Sequence, residues 1–445
     1  MKYFPAFFTS ACLSLPLAAL ADDLNGVWKS KGYGLYLSLN DGGVVLDQVS
    51  AGGCVKLGSS DLEVGNDGHL HGAAKLTGMG RWAGTFDFDL SRKRDELALE
   101  IGKLNKITLS RVKALPPSCD DRPGWGALEN FDVYWNYFNE NYAYFEERDV
   151  DWQAMRAKYR PEVEAGVGRG RLFEILTEMT QPLNDGHVSL QAVLNAADFG
   201  ELPDWIAEIG EERFEGMARE WMNKAIAGEP IKVADTIAYG RTADNLGYMA
   251  IIGMDEALLD EDAAPLAAAV DKVLGDLEET DALVIDLRMN GGGDDRVGYY
   301  IAGSFTDQVV PIGSKQVKAA DGWHDLMDLQ IEPTKGVHYD KPVYVLTSGF
   351  TASAAETFAL ALTHIENVTI VGEPSNGIFS DMFFVALPNW WMATISNERY
   401  LDAQGRNHEA KGVPLDVRAP ILASDILDGK DAVMEKVRAL HSAGD

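Results

Sequence analysis

Two short stretches of this chain combine residue types that could do acyl-transfer chemistry. The first is Thr351-Ala352-Ser353-Ala354-Ala355-Glu356, which follows the apolar run Val343-Tyr344-Val345-Leu346. A serine at a strand-to-helix junction places its hydroxyl at the positive end of a helix, a setting that suits a nucleophile and a developing oxyanion. The same spacing, Ser353 with Glu356 three residues later, is also a capping box, in which each side chain satisfies the other residue's backbone N–H. A hydroxyl committed to capping cannot attack a carbonyl, so the local pattern leaves both roles open. The second stretch is Asn290-Gly291-Gly292-Gly293. Its glycines let backbone N–H groups approach a ligand with no Cβ in the way. It lacks the Lys-Ser/Thr tail of a phosphate-binding P-loop and the spacing of a dinucleotide loop, so no nucleotide cofactor is expected.

A serine hydroxyl is a poor nucleophile at neutral pH without a base beside it. Imidazole titrates in the right range. His187 follows Asn184-Asp185-Gly186, a turn that delivers it to the start of a short extended run. Taken alone, a histidine so placed is more commonly structural than catalytic. His408 is a rival base, while His324 and His364 read as structural or exposed. His69 and His71 lie two apart without further ligand spacing, so no metal is expected. Asp286 and Arg288 read as partners that order the glycine loop.

The elements around these residues follow from pattern. Ala282-Leu283-Val284-Ile285-Asp286-Leu287 is a nearly continuous apolar run, as in a strand covered on both faces of a parallel sheet. Such strands alternate with amphipathic helices from residue 246 to the C-terminus, which predicts right-handed crossovers and loops converging at the strands' carboxyl ends. Residues 22–115 alternate apolar and polar positions between glycine-rich turns and read as a small antiparallel β-domain, a barrel or sandwich. Residues 116–190 open on a Pro-rich linker and continue as a helical subdomain carrying His187. Residues 191–245 read as an acidic, helical connection. The catalytic core is expected over 246–445.

The formal charge of −30 argues against nucleic-acid binding, which needs a basic footprint. Residues 1–21 have the charge, apolar stretch and Ala19-Leu20-Ala21 ending of a cleaved leader. No other run is long and apolar enough to span a bilayer. A soluble, periplasmic or secreted mature protein is therefore expected. Removing the leader leaves Cys54 and Cys119, which an oxidising compartment would allow to pair; two independent thiols are the alternative.

Taken together, four ordered motifs resemble the serine peptidases that include the C-terminal-processing proteases and the tricorn core protease. They are Asp286 to Gly293, Thr351 to Glu356, Gly372-Glu373-Pro374 and Gly412-Val413-Pro414-Leu415-Asp416. The resemblance extends over about residues 125–420 and implies a crotonase-like α/β core. By position it implies Ser353 as nucleophile, with the N–H groups of Ala354 and Gly292 as oxyanion hole. The processing branch carries a lysine base shortly after Gly-Glu-Pro. Here Ser375-Asn376-Gly377-Ile378-Phe379 holds none, which points to the tricorn-like set of histidine and glutamate, matched by His187 and Glu409. The expected function is an exported serine peptidase acting on peptides or proteins, without cofactor or metal. An esterase with the same nucleophile, and a non-catalytic binder of apolar ligands on the same fold, are the alternatives. No PDZ-like insertion is evident between His187 and Leu246.

Overall fold

A computed structural model describes residues 24–40, 43–64, 70–76, 85–93, 96–101 and 105–444. The leader expected over residues 1–21, and His69, lie outside them. The described chain forms two compact units, Met1–Asn136 with Ala386–Trp391, and Tyr137–Val385 with Met392–Asp445.

The first unit is built on a closed antiparallel barrel of eight strands in chain order, from Gly26–Ser30 to Asn105–Val112. The last strand pairs back onto the first, Val27 opposite Val112, so the sheet has no free edge. Strand Leu35–Asn40 shows why it closes. Leu35, Leu37 and Leu39 are buried while Tyr36 and Ser38 between them are partly exposed, the period-two pattern of a sheet with one covered face. Cys54 and Cys119 form a disulfide, with a Cα–Cα distance of 4.9 Å. Beside it the Arg122 guanidinium meets the Asp47 carboxylate at 2.8 Å.

The second unit is organised by a mixed seven-stranded sheet. Its order is Ile231–Ala234, Ile237–Arg241, Gly247–Ile251, Leu283–Asp286, Val343–Thr347, Val368–Gly372 and Val417–Arg418. The first two strands run antiparallel to their neighbours and the others are parallel. Every residue of Leu283–Asp286 and Val343–Thr347 is buried, because helices cover both faces. Ile285 and Val345 pack with Ala355, Phe358 and Leu362 on one side. Val284 and Leu346 pack with Met217, Trp221 and Val437 on the other.

The acidic connection expected to be helical over 191–245 is only partly so. Helices Asp204–Ile209 and Glu211–Ala225 are bracketed by short strands, Ser189–Gln191 and Ala196–Asp198 before them, Ile231–Ala234 and Ile237–Arg241 after. Strands of three to five residues carry too little alternation to read locally, and their partners are remote. Gln191, for example, lies opposite Met392. The expected parallel sheet is extended at one edge by two antiparallel strands that precede residue 246. A three-stranded sheet of Gly322–Ile331, Val310–Ala319 and Glu398–Asp402 completes the unit.

Candidate active site

Strand Leu283–Asp286 delivers the glycine loop. Arg288 is buried, bonds Asp286 Oδ2 at 2.7 Å and Asp431 Oδ1 at 2.7 Å, and lies 3.8 Å over the Trp221 ring. Two adjacent backbone carbonyls are tied to the neighbouring turn. Thr351 Oγ1 donates to the Leu287 carbonyl at 2.9 Å and Ser348 Oγ to that of Arg288 at 2.6 Å. The Asn290 carbonyl accepts the Ala352 N–H at 3.1 Å. The glycine loop and the Ser353 turn are therefore one construction. Gly292 lies so close to Ser353 that a Cβ there would stand 2.6 Å from the Ser353 Cβ, and its φ of +109° is one only glycine adopts readily. The Gly292 N–H donates to Asn290 Oδ1 at 2.9 Å.

Ser353 sits between strand Val343–Thr347 and helix Ala354–Leu362 with φ 56° and ψ −127°. This backbone conformation is costly for a residue with a side chain and persists only where surroundings over-determine it. Glu356 provides much of that constraint. Its Oε2 accepts the N–H groups of Ser353 at 3.0 Å and Ile378 at 2.9 Å. Its Oε1 accepts Ser375 Oγ at 2.6 Å and the Gly377 N–H at 2.7 Å. Burial pushes the Glu356 carboxyl up to about 7, with these donors opposing. The Glu356 N–H bonds the Ser353 carbonyl at 2.8 Å. Ala354 is the first residue of the helix, where N–H groups lack an intrahelical acceptor.

His187 is buried. Its N–H donates to Asp185 Oδ1 at 2.9 Å, and Asp185 Oδ2 accepts the Tyr142 hydroxyl at 2.8 Å. The ring's Nδ1 is enclosed without a hydrogen-bond partner. Burial lowers the His187 pKa, against the charges of Asp185 and Asp381 and a backbone hydrogen bond with Ser380. Burial thus favours the neutral imidazole. The turn bearing His187 touches the loop that Glu356 pins: a Cβ on Gly186 would lie 3.1 Å from Ile378 Cδ1.

Glu409 is fully buried. Its carboxylate accepts Arg148 Nη2 at 2.9 Å, the Phe379 N–H at 2.8 Å and the Ser380 N–H at 3.4 Å. Burial and the nearby Asp185 push it up, with Arg148 opposing. Among the described residues no hydrogen bond joins Glu409, His187 and the Ser353 hydroxyl directly. The three are linked through the 375–380 loop, whose N–H groups serve Glu356 at one end and Glu409 at the other.

Three of the other histidines have partners elsewhere. His408 Nε2 pairs with Asp402 Oδ2 at 2.8 Å, His324 with Asp321 at 2.9 Å, and His364 Nδ1 lies 3.2 Å from the Leu360 carbonyl. Two groups had no legible signal in the sequence. One is Arg148, an isolated arginine in a loop. The other is Lys315, which meets Asp381 at 2.5 Å and Glu398 at 2.6 Å. Asp381 is in turn bonded by the Tyr400 hydroxyl at 3.0 Å. Burial would raise the Asp381 carboxyl, but Lys315 prevails and holds it below the usual range.

Residues 245–419 match Peptidase family S41, and residues 127–181 match the tricorn protease C1 domain. Among solved structures, the chain is similar to a protein from Parabacteroides merdae designated a peptidase. That match has a TM-score of 0.61 at 24% identity, covering 71% of this chain and 96% of that one. It is also similar to mature CPAF, with a TM-score of 0.51 at 13% identity, covering 71% and 96%. Both likenesses are of fold.

Proposed function

The chain belongs to peptidase family S41 and is a serine-type peptidase, and from that premise we propose that Ser353 is its nucleophile and His187 the base. Ser353 Oγ attacks the scissile carbonyl and its proton passes to the neutral imidazole of His187, which then returns it to the leaving amine. An acyl-enzyme remains on Ser353 until water, activated by the same imidazole, releases it. The oxyanion is received by the N–H groups of Ala354 and Gly292. The Gly292 donor now serves the Asn290 amide oxygen. A charged oxygen is the stronger acceptor and takes it over as charge develops. Glu409 acts through the backbone: it fixes Phe379 and Ser380, and Ser380 meets the imidazole.

The observation that carries this reading is the Ser353 backbone itself. A strained φ of 56° and ψ of −127° at a helix start, against a glycine loop that leaves no room for a Cβ, is more than a helix cap requires. A fluorophosphonate probe is expected to label Ser353, and Ser353→Ala to abolish both labelling and peptide hydrolysis. Labelling at another residue, or hydrolysis surviving in Ser353→Ala, would overturn it.

The crotonase-like description of the core is what the resemblance carried by the ordered motifs implies. Export, to a periplasm or outside the cell, is supported by the expected leader and by the Cys54–Cys119 disulfide, since such bonds persist in oxidising compartments. Among the described residues no helix is long and apolar enough to cross a membrane.

A further inference from the structure

We propose that Arg148 is a positioning residue of this active site, the clamp that sets His187 against the Ser353 turn. The inference rests on the reading of Ser353 as nucleophile and His187 as base. Arg148 lies in the loop between helices Ala127–Asn141 and Trp152–Glu164, and its side chain is 7% exposed. Its guanidinium reaches three segments remote from it in sequence. On the turn that carries His187 it donates to the carbonyls of Leu183, at 3.1 Å, and Asn184. Its Nε lies 3.5 Å from Asp185 Oδ2, the carboxylate whose other oxygen holds the His187 N–H. On the 375–380 loop it donates to the Gly377 carbonyl at 3.3 Å, next to the N–H groups that Glu356 collects. On the third segment it bonds Glu409 at 2.9 Å.

The geometry needs a planar fork. A lysine ammonium could neutralise one carboxylate but could not span carbonyls and carboxylates on three segments at once. A buried ion pair is weak evidence for stability, because desolvation offsets its Coulomb attraction. Here the pair is placed where registration matters: each segment it joins carries a group of the proposed catalytic set or its support. Arg148 also balances charge. The charged groups around the imidazole are Asp185 and Asp381, which raise the His187 pKa, and Arg148, which lowers it; Lys315 lies beyond Asp381. Without Arg148, Asp185 would face the imidazole uncompensated.

The test compares the wild-type chain with Arg148→Ala, Arg148→Lys and His187→Ala, measuring kcat and KM on a peptide substrate across pH, with and without added guanidinium. Arg148→Ala is expected to lose about 100-fold in kcat, the scale of a displacement near 1 Å in a catalytic group, with little change in KM. Its acid limb should move to higher pH, and guanidinium should restore part of its rate but none in His187→Ala. Arg148→Lys should lose kcat while keeping the wild-type limb. A kcat within about two-fold of wild type in Arg148→Ala, or a loss with neither a shifted limb nor rescue, overturns the proposal. Should Arg148→Ala fail to fold, Arg148→Lys decides. Wild-type kcat in that variant refutes the clamp, whereas a lowered kcat with unchanged melting temperature and acid limb supports it. A fully active His187→Ala would instead sink the underlying assignment of the base, whatever Arg148 does.

Discussion

At the scale of single residues, the informative feature is the environment of His187. Burial lowers its pKa while Asp185 and Asp381 oppose. The base form therefore persists to a pH below the ordinary histidine value of about 6.5. On the proposed assignment of His187 as base, the acid limb of kcat/KM is expected below that value. Asp381→Asn removes a carboxylate that raises the His187 pKa and leaves Lys315 balanced by fewer carboxylates, Glu398 among them. Both effects move the limb further down. A limb that stays put or rises in a pH–rate titration would contradict this account. Gly292→Ala is a second test. Its methyl would stand 2.6 Å from the Ser353 Cβ at a φ of +109°. Displacing the proposed nucleophile or oxyanion donor should lower kcat by about 10²–10³, while circular dichroism remains native.

At the scale of elements, helix Ala354–Leu362 is held at its start by one buried carboxylate. Glu356→Ala would leave the N–H groups of Ser353, Gly377 and Ile378 and the Ser375 hydroxyl without their acceptor. At about 1–3 kcal/mol for each unsatisfied buried group, a loss of at least about 4 kcal/mol is expected in urea unfolding. Glu356 also shapes the pH dependence of stability. Its folded pKa, about 7, lies above the ordinary value of about 4.3, so the folded state holds this proton more tightly than the unfolded chain. Its contribution is fully present below about 4.3 and is lost as pH rises toward about 7. Glu409, also raised, acts in the same direction. Unfolding free energies across this window should show less of that decline in Glu356→Gln; an unchanged slope would remove Glu356 as its source.

For the whole molecule, each unit has its own means of stabilisation. The larger unit buries two apolar layers against one sheet. The barrel unit is smaller and adds a disulfide across a sequence separation of 65 residues. Closing a loop of that length restricts the unfolded chain enough to contribute about 4 kcal/mol. Paired replacement of Cys54 and Cys119 by serine is expected to lower protection from hydrogen exchange in strand Leu35–Asn40 by a corresponding amount. Unaltered exchange there would mean that the barrel core suffices alone. The net charge of −30 favours solubility and disfavours acidic partners.

Features that depend on neighbours along the chain were legible in the amino-acid order. Apolar runs at Leu283–Asp286 and Val343–Thr347 announced strands buried on both faces, and Ser353 with Glu356 announced a helix start. Ser375 to Phe379 disclosed the lack of a lysine. Tertiary structure alone decided what depends on remote partners. It paired Ser189–Gln191 with Met392–Ser396, beyond the reach of any local periodicity. It gave Glu356 three acceptor bonds to the 375–378 loop that a capping box does not foretell. It turned Glu409 toward Arg148 and the backbone, and set Asn290 on the Gly292 N–H. Hydrophobic pattern is written in local spacing because a strand or helix repeats every few residues. Buried polar contacts obey no such period. They form wherever folding removes water from a donor and an acceptor together, and only the folded chain shows which pairs those are.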